Sequence, residues 1–102
     1  MAGRFRDMAG MLKEAQRVQA QIARIQEELA GKHVEASAGG GAVRVVLNGR
    51  LEFEQVRIDP AAVDVADVQM LEDLIVAAVN EGVRKYREME AAAFGKLAGG
   101  FI

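Results

Sequence analysis

At 102 residues, with 51% hydrophobic and 27% charged side chains, the chain has the length and composition of one folded domain, not of a disordered or fibrous segment. No cysteine and a single histidine exclude disulfides, thiolate metal sites and a transition-metal ligand cluster. The formal net charge of −2 argues against a polyanionic partner unless positive charge is gathered on one element.

The first element is where it gathers. Met8, Met11, Ala15, Val18, Ile22, Ile25 and Leu29 recur with gaps of 3, 4, 3, 4, 3 and 4, an a/d heptad seam that predicts a helix packed lengthwise against another helix. The intervening Lys13, Glu14, Gln16, Arg17, Ala20, Ala23 and Arg24 are strong helix formers. The predicted helix spans residues 4–30 and stops at Gly31; at 1.5 Å per residue it is about 40 Å long, more than a domain of this size is wide. It must project from the body, pair with a second copy, or both, and the spacing leaves open whether the seam pairs within one chain or between two. Opposite the seam, Arg6, Lys13, Arg17 and Arg24 form a basic stripe. Such a stripe is either a solvated face or a rail for phosphates, and periodicity alone does not choose. Residues 4–30 carry five basic and four acidic side chains, whereas residues 65–97 carry four and six, so the first helix is the net-positive element.

The next stretch, 33–59, reads as three strands. His33 to Ser37 alternates weakly, as in a short edge strand. After Gly39-Gly40-Gly41, Val43, Val45 and Leu47 alternate onto one face. Asn48-Gly49 predicts a two-residue type I′ hairpin. In the third strand Leu51 and Phe53 alternate, as do Val56 and Ile58, but the step between the pairs is three residues, which predicts a bulge at Glu54-Gln55. Asp59-Pro60 ends the ladder, with Asp59 expected to cap the turn that follows.

A polar connection leads to a second helix over 65–95, with Asp64 or Asp67 as N-cap. Val68, Leu71, Leu74, Ile75, Ala78 and Val79 predict an oily first half that covers the sheet; Arg84, Lys85, Arg87, Glu88 and Glu90 make the second half polar. Residues 96–102 form an apolar, glycine-containing tail. The predicted class is therefore α+β, in the order α-β-β-β-α, with a three-stranded antiparallel sheet and two long helices in a single domain, 1–102. One sheet and two helices make a thin core, which favours a homodimer.

No catalytic grouping is expected, and no enzyme. Ser37 is the sole hydroxyl nucleophile besides Tyr86, since the chain lacks threonine and cysteine; His33 lies roughly 13 Å away at strand rise, beyond hydrogen-bond reach. The triple glycine matches no phosphate-loop spacing and leads into a strand instead of a helix N-terminus. The methionines at 8, 11, 70 and 89 fall on apolar helix faces as gap fillers. No cofactor or metal is expected. The N-terminal residues lack the apolar core of a signal peptide, and no apolar run is long enough to span a bilayer, so no membrane association is expected.

The segments "EASAGGGAVRVVLNG", "VRIDP", "MLEDLIVAAVNEGVRKYREM" and "KLAGG" make the chain resemble the YbaB/EbfC family of bacterial nucleoid-associated proteins over nearly its whole length. The resemblance implies a cytoplasmic, nucleoid-associated homodimer shaped like tweezers. Its long helices would project from a shared sheet body and bind duplex DNA with little sequence preference, affecting nucleoid organisation and gene expression, and recombination or replication proteins would be further partners. On this reading Arg4, Arg6, Lys13, Arg17 and Arg24 of the first helix contact phosphates, with Arg84, Lys85 and Arg87 of the second as secondary candidates. Two departures from the family pattern are the short tail at Phe101-Ile102 and Gly82, which is expected to kink or loosen the second helix. The competing reading is a protein-interaction adaptor without direct DNA contact, suggested by the net negative charge and by Phe94, Leu97 and Phe101 as exposed tail residues.

Overall fold

In a computed structural model, which describes the backbone of residues 2–99 and the side chains of residues 7–97, the order is α1 (Ala2–Ala30), β1 (His33–Ala38), β2 (Val43–Asn48), β3 (Phe53–Ile58), a 3₁₀ turn (Pro60–Ala62) and α2 (Val68–Gly99). The three strands form one antiparallel sheet in the order β1-β2-β3. This is the α-β-β-β-α class read from the sequence. The molecule is 79 Å long but 21 by 16 Å in section, with a radius of gyration of 21.3 Å. A compact chain of this length would have about 13 Å, so the long helices do extend beyond a small body.

The core lies where α2 crosses β1 and β2. Val43, Val45 and Leu47 are wholly buried, with Ala36 and Ala78 beside them and Leu71, Leu74, Ile75 and Val79 of α2 packed against the cluster. Period-two alternation puts these valines on one face and Arg44 on the other. Gly82 does not interrupt the second helix: α2 runs unbroken from Val68 to Gly99. Gly82 is buried where the helix meets the sheet, and a Cβ there would stand 3.1 Å from Leu47 Cδ2 and 3.4 Å from Phe53 Cε1. Its role is close approach. The helix also continues through 96–99, residues assigned above to the tail; Phe101 and Ile102 lie outside the described residues.

The β2–β3 connection corrects a second expectation. Neither Asn48 nor Gly49 takes a positive φ; Leu51 does, at 59°. The Leu51 amide closes on the Asn48 carbonyl (3.2 Å) and the Asn48 amide donates to the Glu52 carbonyl (2.9 Å), the three-residue hairpin form with a left-handed last residue. Asn48 organises the loop with its side chain, whose Oδ1 accepts from the Arg50 amide (2.8 Å) and the Glu52 amide (3.1 Å). Gly49 is required for a non-local reason: a Cβ there would sit 1.5 Å from the Leu29 carbonyl oxygen. The hairpin tip is pressed against the last turn of α1, where Leu29 is buried. The predicted bulge is present, with Val46 paired to Gln55 and Leu47 to Phe53, leaving Glu54 as the extra residue.

Capping follows the sequence reading. Asp59 Oδ1 accepts from the Ala61 amide (3.0 Å) at the 3₁₀ turn, and Asp67 Oδ1 accepts from the Met70 amide (3.2 Å) as the N-cap of α2.

Candidate nucleic-acid interface

The second half of α1 lies along the last third of α2, and the two helices wall a cleft of about 510 Å³. Its apolar lining is Ile25 from the α1 seam with Met89, Ala92, Ala93 and Leu97 of α2. Its polar lining is Arg17, Gln21, Arg24 and Glu28 of α1, Lys32 just beyond that helix, and Lys96 of α2. Four cations against one carboxylate make this cleft strongly positive in a chain that is negative overall. Arg17 pairs with Glu14 one turn away along α1, on the exposed surface; among the described residues Arg24, Lys32 and Lys96 make no ion pair. Arg17 and Arg24 are two turns apart, on the order of 10 Å along the axis. Exposed cations strung along a helix can neutralise successive backbone phosphates with no base readout.

The structure divides the candidates read from the sequence. Arg17 and Arg24 enter the cleft. Lys13 is exposed on α1 beyond it. The side chains of Arg4 and Arg6 lie outside the described residues. The α2 trio is not brought to the cleft. Arg84 is engaged by two carboxylates, with Nη2 and Nε on Glu81 at 2.6 and 3.0 Å and Nη1 on Glu88. Those bonds raise the Arg84 pKa above its usual value and hold the Glu81 carboxyl below the ordinary carboxylate range, in each case chiefly through the Arg84–Glu81 hydrogen bond. Lys85 donates to the Glu35 carbonyl of β1 (3.0 Å). Arg87 shares a separate shallow depression with Arg84, Asn80 and Glu88. Phe94 and Leu97, expected as exposed tail residues, are half-buried against α1 instead.

Helical spacing in the sequence does not reveal Lys32 and Lys96 as members of the cleft. Lys32 falls just past the helix, one residue beyond the next seven-residue step after Arg17 and Arg24. Lys96 sits in an otherwise apolar helical stretch, and nothing local ties it to Arg17. The one available signal was antiparallel pairing of the helix ends, which sets the last turns of α2 beside the middle of α1.

Among the described residues no three His, Asp or Glu side chains come together as a metal site, and no helix is long and apolar enough to cross a membrane. What the fold defines is a small body carrying two long helices with a basic, open cleft between them. The chain belongs to the YbaB/EbfC DNA-binding family, whose model matches residues 4–101. It is 56% identical over 89 residues to a nucleoid-associated protein of Syntrophobacter fumaroxidans (87% of this chain, 81% of that one). It is 54% identical over 93 residues to one of Moorella thermoacetica (91% and 89%). An uncharacterized protein from Helicobacter pylori shares the fold, with a TM-score of 0.69 at 23% identity, covering 88% of this chain and 92% of that chain.

Proposed function

We propose that the protein binds duplex DNA as a homodimer, through phosphate contacts from the α1–α2 cleft and with little sequence preference. The observation that carries the reading is the cleft's four cations, Arg17, Arg24, Lys32 and Lys96, set against the lone Glu28. Arg84 and Lys85 drop to a minor role because their hydrogen bonds are already made within the protein, and Arg87 because it lines a separate depression; Lys13 extends the positive path along α1. Membership of a DNA-binding family supports the same reading.

The dimer is supported by what α2 leaves uncovered. On the core face of the sheet, Phe53, Val56 and Ile58 are 38%, 49% and 37% exposed, and Val68 and Val76 of α2 are also open. Apolar residues on a sheet face that already carries a core are the surface a second copy would cover. In the cell, this assembly acts on the nucleoid in the cytoplasm, organising DNA and affecting gene expression, with recombination or replication proteins as partners.

The test is fluorescence anisotropy of a short labelled duplex across a salt series. Log affinity should fall linearly with log salt, and the slope divided by about 0.9 counts the phosphates engaged. Absence of binding at low salt would sink the reading. A second reading, a protein adaptor, now rests on Met8, Met11 and Leu12, which are 67%, 72% and 62% exposed on the first half of α1. A stoichiometric protein partner that survives nuclease treatment in a pull-down would support it; loss of every partner would favour DNA.

A further inference from the structure

The core face of the sheet is accounted for by α2 and by the proposed dimer. The opposite face carries a row that neither uses. Because Val43 and Val45 are buried under α2, Arg44 between them points away from that helix. The register sets Ser37 opposite Arg44 on one side and Arg57 opposite Arg44 on the other, so Ser37, Arg44 and Arg57 form one row across all three strands. Residues directly opposite have Cβ atoms about 5 Å apart, and like charges so placed repel. Among the described residues neither arginine makes an ion pair. The nearest acid on this face is Glu35, one residue pair from the row on β1 and paired with neither arginine; Glu54 is held at the far end, where it meets His33 Nε2 at 3.3 Å and Asn48 Nδ2 at 3.0 Å.

Both guanidinium groups are positioned by neutral neighbours. The Gln55 amide, oriented to satisfy both contacts, accepts from Arg57 Nε at 3.0 Å and Nη2 at 3.1 Å. Arg44 lies back along Gly41, where a Cβ would come within 2.9 Å of its Nη2. Two planar forks and a hydroxyl, with no carboxylate paired to either fork, are a donor set for phosphate oxygens. The row lies on open sheet, outside the clefts described above, and so suits a phosphate backbone passing across it better than a small anion needing enclosure.

We propose that this row is a second DNA-phosphate surface, so that a protein holding one duplex in the α1–α2 cleft engages a second duplex through Arg44 and Arg57 and bridges the two. The inference rests on the DNA reading above. It differs in direction: the row faces away from α2, the helix that walls the cleft.

The experiment is a sandwich assay with the full chain. One duplex is fixed on beads, protein is bound, and capture of a second, labelled duplex is measured, with anisotropy reporting single-duplex affinity in parallel. For Arg44→Ala with Arg57→Ala, capture should fall about tenfold while single-duplex affinity changes less than about twofold. The variant's melting temperature should stay level or rise, because a like-charge pair has been removed. Arg44→Lys with Arg57→Lys should restore part of the capture, and it keeps the test decisive if the alanine variant folds poorly. Unchanged capture by the alanine variant, or no capture by the unaltered protein, would overturn the second surface and leave the cleft reading intact. Loss of single-duplex binding by a folded alanine variant would also overturn it, since the row would then belong to the primary surface. If the unaltered protein binds no duplex at low salt, the DNA reading itself fails and takes the row with it.

Discussion

Strands β2 and β3 are hydrogen-bonded neighbours that turn the same kind of side chain to the same face, yet they meet different fates. Val43, Val45 and Leu47 are fully buried, while their cross-strand partners Ile58, Val56 and Phe53 remain 37–49% exposed. The difference is the path of α2, which packs chiefly on β1 and β2 and meets β3 at Phe53, beside Gly82. Helix α1 divides in the same way. From Val18 onward its seam is at least half-buried against α2 and the hairpin, whereas Met8 and Met11 of the same seam stand in solvent. Burial here follows what each element crosses, and the uncovered parts are where partners are expected.

The largest effect should come from disrupting the junction that joins the two regimes. Gly49→Ala places a methyl on the Leu29 carbonyl oxygen, where a Cβ would lie 1.5 Å away, and neither backbone can yield without moving α1 off the hairpin. We expect a loss of about 3 kcal/mol or more, read as a large fall in denaturant midpoint. A wild-type midpoint would mean that the α1–hairpin junction is not part of the cooperative unit.

Next come two substitutions on facing strands that should separate fold from assembly. Leu47→Ala removes a wholly buried side chain and should cost about 2–5 kcal/mol at any protein concentration. Val56→Asp alters a half-exposed side chain, so its main effect should be on the proposed dimer. Sedimentation should show a shift to monomer, and melting should become independent of protein concentration. If Val56→Asp sediments as the wild type does, β3 is not the dimer surface.

Much of this was readable from the chain, and the failures share a cause. The alternation of β2 and β3, the bulge at Glu54 and the caps at Asp59 and Asp67 depend on near neighbours, and all were legible. Asn48-Gly49 suggests a type I′ turn; the actual constraint on Gly49 is the backbone of Leu29, which only the tertiary fold supplies. Gly82 is the same kind of case, a helix breaker by local rules that is explained by Leu47 and Phe53 across the core. Arg17 and Arg24 were found by helical spacing, but Lys96 becomes their neighbour only through helix pairing. Arg84 is different. Glu81 and Glu88 stand three and four residues from it, within ordinary helical ion-pair reach, so its engagement was visible in the sequence.

A finer contrast lies between the cations of the two helices. Arg17→Glu with Arg24→Glu reverses two cleft charges without touching the seam, so melting should change little while duplex affinity falls. The salt slope should drop by about one for each phosphate no longer engaged. The same reversal at Arg84 should change DNA affinity less, because that guanidinium is already held by Glu81 and Glu88. Equal losses of affinity at both places would show that the α2 cations contribute as fully as the cleft does.

The smallest expected effect probes the closed side of the junction by pH. Tyr86 is 9% exposed, faces Leu29, Ala30 and Gly49 across a second cleft, and donates its hydroxyl proton to Glu90 Oε2 at 2.9 Å. That bond first, and burial second, raise the phenol pKa above its ordinary value. The folded state therefore holds this proton more tightly than the unfolded chain does. The stabilisation is fully present below the unfolded value of about 10 and is lost as pH rises through the higher folded one. Tyr86→Phe keeps the ring but removes the hydroxyl, and at neutral pH it should cost about 1 kcal/mol. The gap in melting temperature between the two proteins should then narrow as pH is raised above about 10. Other groups titrate there as well, lysines included, but they titrate in both proteins and cancel in the difference. A gap that stays constant across that range would mean the Tyr86 hydroxyl contributes nothing through its proton, and that the ring alone fastens the last turn of α1 to α2.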